Sequence, residues 1–202
     1  RNASDAIVMD ADFPCVYLDG SPTTVSGTYV AANLYKYTTA QLGYFPFIRL
    51  DVGVKIGRGL PTGSAGAVLP DYFSTASSLT VQKCLPITDV TLPVGGYGMA
   101  SYDASGNVTF HSGVELMPIR HVVGCTDGDT LPLTLASSSH EWVYFTGGAL
   151  FVQPIQPPIY AVLATVISRP NSTTIEASTQ TIAITDSPWA GPSQSFRLMV
   201  GG

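Results

Sequence analysis

Between Phe47 and Ile56 the chain alternates strictly: Ile48, Leu50, Val52, Val54 and Ile56 fall on one side, and Phe47, Arg49, Asp51, Gly53 and Lys55 on the other. A period of two is the repeat of a β-strand, whose successive side chains leave opposite faces, so the run reads as a strand with one dry and one wet side. Helix is disfavoured elsewhere. Pro or Gly interrupts almost every window of a dozen residues, and no stretch keeps an apolar stripe at i, i+3, i+4, i+7. Only a turn or two of helix is expected, near Thr38 to Leu42, with under about 10% helix in all against the usual one-third.

The same pattern marks further strands at Thr28 to Tyr35, Leu79 to Leu85, Val114 to Val123, Glu141 to Phe145, Ala149 to Gln153, Gln180 to Thr185 and Ser195 to Val200. Ile159 to Ser168 is apolar on both faces and rich in β-branched residues, the mark of a central strand buried between two layers. Turn residues separate the runs: Asp103 and Ser105-Gly106-Asn107 predict a hairpin between Tyr102 and Val108, and Gly147-Gly148 a second one after Phe145. Many short strands punctuated every 8 to 12 residues predict an all-β chain, a single-domain antiparallel β-barrel or β-sandwich with long loops over residues 1–202. Gly57 to Asp71 and Ser187 to Ser195 are the long irregular stretches. No composition shift divides the chain, and no internal repeat suggests a propeller or solenoid.

Charge and motif content then exclude function classes. Only 11% of the 202 residues are charged, and the net charge of −5 leaves no basic footprint for nucleic acid. The longest apolar-dominated run, Ile159 to Ile167, spans nine residues, far short of the roughly 18 of a membrane-crossing helix, so no membrane insertion is expected. Cys15, Cys84 and Cys125 are odd in number and widely spaced, which predicts at least one free buried thiol and no metal knuckle. Asp10-Ala11-Asp12 and Asp127-Gly128-Asp129 lack the remaining spacing of a calcium loop, and Gly57-Arg58-Gly59 and Gly63-Ser64-Ala65-Gly66 lack the phosphate-loop lysine. His111, His121 and His140 stand in no nucleophile–base pattern, because in Ser139-His140-Glu141 strand neighbours point to opposite faces. No catalytic residue, metal or cofactor is expected.

Recognition is what remains. Loops on a rigid β scaffold hold contact residues without disturbing a core, and aromatic rings there give large contact area at small entropy cost. Tyr97, in Gly95-Gly96-Tyr97-Gly98, and Trp189, in Ser187-Pro188-Trp189-Ala190-Gly191-Pro192, fit that description, with Arg58 at the start of the Gly57 to Asp71 loop. Trp142, inside an apolar strand, reads as core. With 45% hydrophobic residues and few charges, apolar surface is expected to remain for a second copy, so a homodimer is predicted.

Ser and Thr make up about one residue in five, with 20 Gly and 15 Pro, and the chain opens at Arg1 rather than Met. A Lys-poor, acidic, hydroxyl-rich all-β unit that reads as cut from a longer chain resembles the capsid surface projection of a non-enveloped RNA virus. Segments such as Ser168-Arg169-Pro170-Asn171-Ser172-Thr173 share that coat-like flavour. It looks most like astrovirus capsid spikes. The resemblance implies a spike domain of a capsid polyprotein at the virion surface. Such a domain is dimeric, attaches to a host-cell receptor of protein or glycan, carries epitopes for neutralising antibodies, and performs no catalysis. The competing class is a cellular or bacterial β-sandwich adhesin or carbohydrate-binding module.

Overall fold

The computed structural model describes residues 16–43, 45–58, 72–93, 98–125, 133–136, 142–146, 150–186 and 196–201. In chain order its strands are β1 (Val16–Leu18), β2 (Thr23–Ser26), β3 (Thr28–Ala31), β4 (Leu34–Tyr37), β5 (Phe45–Arg49), β6 (Lys55–Arg58), β7 (Tyr72–Ser74), β8 (Ser78–Pro86) and β9 (Ala100–Tyr102). They continue as β10 (Val108–His111), β11 (Ile119–Cys125), β12 (Leu133–Ala136), β13 (Trp142–Thr146), β14 (Leu150–Gln156), β15 (Ile159–Asn171), β16 (Thr174–Thr185) and β17 (Phe196–Gly201). A four-residue helix, α1 (Thr39–Leu42), and one 3-10 turn are the helical elements among the described residues. The chain is all-β.

Two antiparallel sheets share the main core. The first has the order β1-β8-β5-β13-β17-β11 with β2 also on β8; the second runs β12-β16-β15-β6-β7-β4-β3 with β14 also on β15. One buried cluster draws Ile48, Val81, Val143, Leu198 and Val200 from the first sheet and Tyr37, Ile56, Tyr72, Ile167 and Ile175 from the second. That is a sandwich, and each such aliphatic side chain taken out of water stabilises it by about 1.5–3 kcal/mol.

The chain turns from sheet to sheet at tight corners. The long alternation at Phe47–Ile56 is one such place: β5 lies in the first sheet and β6 in the second, and a turn at Gly53 (φ +82°) joins them. Val52 therefore stands 57% exposed, while Ile48, Leu50 and Ile56 reach the core as the period requires. A second corner is Gly27, between β2 and β3, where a Cβ would come within 2.6 Å of the Tyr37 ring. The Gly27 amide donates to the Ser77 carbonyl on the neighbouring corner at 2.9 Å, and the Tyr37 hydroxyl donates to the Ala76 carbonyl at 2.7 Å. At a third, helix α1 carries fully buried Leu42 into the core. Its start is closed by a capping box in which Thr38 Oγ1 accepts from the Gln41 amide and Gln41 Oε1 accepts from the Thr38 amide.

Several sequence expectations are corrected here. Thr28 to Tyr35 is two strands, not one, reversed at Ala32-Asn33, where Asn33 takes the left-handed conformation (φ 57°) that asparagine tolerates. Val114 to Val123 is interrupted at Pro118, and regular pairing resumes at Ile119. Gly147-Gly148 lies outside the described residues; of the strands on either side, β13 pairs with β5 and β17 and β14 with β15. The Asp103 hairpin forms as expected, its carboxylate accepting from the Ser105 and Asn107 amides at 2.8 and 2.9 Å. Ile159 to Ser168 is indeed central, paired with β16 on one side and with β14 and β6 on the other. Its outer face is covered by Phe73, packed with Ala164 and Val166.

Candidate functional site at the barrel mouth

The first sheet is buried on both faces, and its second face makes the site. Along β5, Ile48 faces the sandwich core and Phe47 the opposite side; along β13, Val143 faces the core, and Trp142 and Tyr144 face away. Those outward residues gather with Val16, Cys84, Met117, Ile119 and Met199 into one cluster. Val16 belongs to β1 and Ile119 to β11, the two ends of the strand order. Laid flat, the five strand-to-strand steps between them would span about 24 Å. A shared cluster requires the sheet to curl.

Backbone bonds show how it closes. The Leu18 amide donates to the Glu115 carbonyl and the Met117 amide to the Val16 carbonyl, both at 2.9 Å, so residues 115–117 lie along the free edge of β1. Past Pro118 the same segment becomes β11 and pairs with β17 at the other edge. One continuous segment thus joins the two edges, and the sheet becomes a small barrel filled by aromatic rings. Phe45 meets Tyr144 edge-on with centroids 5.7 Å apart, and Phe47 lies tilted against the same ring at 5.5 Å. Gly201 makes the crossing possible, because a Cβ there would lie 2.9 Å from both the Pro118 oxygen and Met117 Cε.

Where the segment crosses, the barrel mouth holds an open groove of about 320 Å³. Leu18, Pro22, Met117, Pro118 and half-buried Trp142 form its apolar walls; Ser21, Gln82 and Glu115 supply the polar side chains. Mouths of β-barrels are a habitual place for ligand sites, and this mixture of an aromatic ring with few polar groups is typical of them. Gln82 is only 3% exposed, and its Nε2 donates to the Gly20 carbonyl at 3.0 Å and the Lys83 carbonyl at 2.8 Å. Both amide hydrogens are spent inside the protein, so the group left for a ligand is the acceptor Oε1. Glu115 is exposed and adds a carboxylate. Among the described residues, no Lys or Arg lines the groove.

Of the site residues expected from sequence, the structure describes the backbone of Arg58. Tyr97 and Trp189 lie outside the described residues, as do Cys15, His140, both paired-aspartate motifs and residues 59–71 and 187–195. Arg58 is the last residue of β6, its backbone paired with Tyr72 inside the second sheet rather than in a loop; its side chain is not among those described. Cys84 is a free buried thiol, pushed up to about 12 chiefly by burial, with the charge of Asp19 adding. His111 receives the Gly113 amide on Nδ1. Among the described residues no three His, Cys, Asp or Glu gather as metal ligands, and no helix is long and apolar enough to cross a membrane.

Trp142 packs against the buried cluster, as its apolar strand suggests, but it is half-buried and also lines the groove. Other aromatic and apolar side chains missed from the sequence are more exposed still: Tyr29 (65%) on β3, edge-on to Tyr35, and Met99 (72%) and Tyr102 (63%) on the β9–β10 hairpin. The position of Tyr102 beside the Asp103 turn was the available signal. No protein-family model, no curated protein and no solved structure matches this chain.

Proposed function

We propose that this chain is a surface-projection domain of a non-enveloped virus coat, which attaches to a host-cell receptor and performs no chemistry. The observation that carries the reading is the barrel-mouth groove, in which Trp142 and the acceptors of Gln82 and Glu115 surround a space open to a ligand. A rigid, doubly packed scaffold holds these groups ready, so little entropy is lost on binding. The hydroxyl-rich, Lys-poor composition and the exposed side chains of Tyr29, Met99 and Tyr102 support display at a virion surface, where they would also meet antibodies. Exposed apolar residues on the β14–β15 tip, Ile155 (61%) and Ile159, support self-association into a homodimer.

The experiment is direct. Fluorescently labelled domain is applied to a panel of cultured animal cell lines, and the excess unlabelled domain is used as competitor. Saturable, competable binding to at least one line is expected. Absence of saturable binding on every line overturns the proposal.

A further inference from the structure

We propose that the barrel-mouth groove binds one uncharged sugar ring of a glycan, stacked on Trp142 with its hydroxyls donating to Gln82 Oε1 and the Glu115 carboxylate. The inference rests on the reading of the chain as an attachment domain and names the ligand class of that site. Three features select the class. The described polar side chains are biased toward accepting: Gln82 has committed both amide hydrogens to Gly20 and Lys83, Glu115 has none to give, and of the three Ser21 alone can also donate. A ligand must therefore bring several donors, as a polyol does. The apolar part is an indole flanked by the walls of Pro22 and Pro118, which suits the C–H face of a ring rather than an extended chain. The volume of about 320 Å³ accepts one ring and leaves the remainder of a glycan outside.

Charge narrows it further. Among the described residues lining the groove, Glu115 is the one ionised side chain and none is Lys or Arg, on a chain of net charge −5. A sialic acid would place its carboxylate against Glu115 with no cation to receive it, and an unpaired like-charge contact is a strong means of rejection. A lysine side chain would be attracted by Glu115, and its ammonium has donors enough for Gln82 Oε1 as well, but it offers no ring face to the indole. A neutral pyranose satisfies all the groups at once.

Saturation-transfer NMR tests this with purified domain and four probes: methyl galactoside, methyl fucoside, a sialylated trisaccharide and Nα-acetyl-lysine methylamide. Transfer to at least one neutral glycoside is expected, with a dissociation constant of about 1–10 mM, as few contacts allow. Glu115→Lys, at an exposed position, should leave the melting temperature unchanged and weaken that binding at least tenfold. Trp142→Ala should abolish it and Trp142→Phe reduce it, the second variant standing in if the first does not fold. No transfer to either neutral glycoside, preference for the sialylated or lysine probe, or binding unaffected by Glu115→Lys would each overturn the inference. The two proposals separate on cells. Attachment that survives enzymatic removal of cell-surface glycans, with no glycoside bound, sinks the sugar and leaves attachment standing. Glycoside binding without attachment to any cell does the reverse.

Discussion

Gly201 lies against Pro118: a Cβ on the glycine would stand 2.9 Å from the proline's carbonyl oxygen, where residues 115–118 cross the barrel mouth. The oxygen belongs to backbone and cannot swing away as a side-chain end could. Gly201→Val should therefore displace residues 117–118 and destabilise the fold by about 1–3 kcal/mol, the usual cost of overpacking. Urea denaturation measures it. Because Met117 and Pro118 line the groove, ligand binding should weaken in the folded fraction as well, which a change remote from the mouth would not do.

A second glycine has the opposite surroundings. Gly57 on β6 pairs with Phe73 on β7, and the phenylalanine ring covers it so closely that a Cβ would meet Cζ at 2.1 Å. Gly57→Ala should cost about 1–3 kcal/mol, since Phe73 is buried against Ala164 and Val166 and has nowhere to go. Phe73→Leu alone should also destabilise. Combined with Gly57→Ala it should cost less than the two single changes summed, and full additivity in a double-mutant cycle would contradict the contact.

These two glycines show what was legible from residues alone. Alternation at Phe47–Ile56 correctly assigns Ile48, Leu50 and Ile56 to the core, yet the same run conceals a change of sheet, because a corner at Gly53 preserves the period while turning the chain. Gly57 reads as loop glycine because its purpose, making room for Phe73, is a cross-strand relation. The barrel is likewise invisible: it depends on residues 115–117 meeting β1, almost a hundred positions earlier in the chain. The half-exposure of Trp142 is hidden for the same reason, as a strand pattern gives the face a ring occupies but not what covers it. The Asp103 turn and the short helix near Thr38 to Leu42 are read correctly because their hydrogen bonds are local.

Alkaline pH should weaken the fold. Burial, with the charge of Asp19 adding, raises the Cys84 thiol from 9.0 to about 12, and burial also raises the Tyr37 phenol from 10.0 to about 12. Both groups hold their protons more tightly folded than unfolded. The stability this confers is complete below about pH 9 and is lost as pH climbs from 9 towards 12. Urea midpoints taken from pH 8 to 11 should fall, and Cys84→Ala should fall less steeply. At pH 8 the native Cys84 should resist alkylation and react once urea unfolds the chain, as peptide mass mapping will show.

Self-association is open to an equally simple check. Sedimentation at micromolar concentration should show a species of twice the 21.2 kDa chain mass. Ile155→Lys with Ile159→Lys, which charges the exposed β14–β15 tip, should shift it toward monomer. Wild-type protein that sediments only at 21.2 kDa would contradict the dimer.

The most direct measurement is cell attachment of wild-type domain beside Glu115→Lys, with melting temperatures taken on the same samples. Glu115 is exposed, so the substitution should leave stability within about 0.5 kcal/mol of wild type, as surface changes usually do. Saturable wild-type attachment that falls at least tenfold in Glu115→Lys at equal stability is the result expected of a receptor held at the barrel mouth. Attachment that is identical for the two proteins, or absent for wild type on every line, would contradict it.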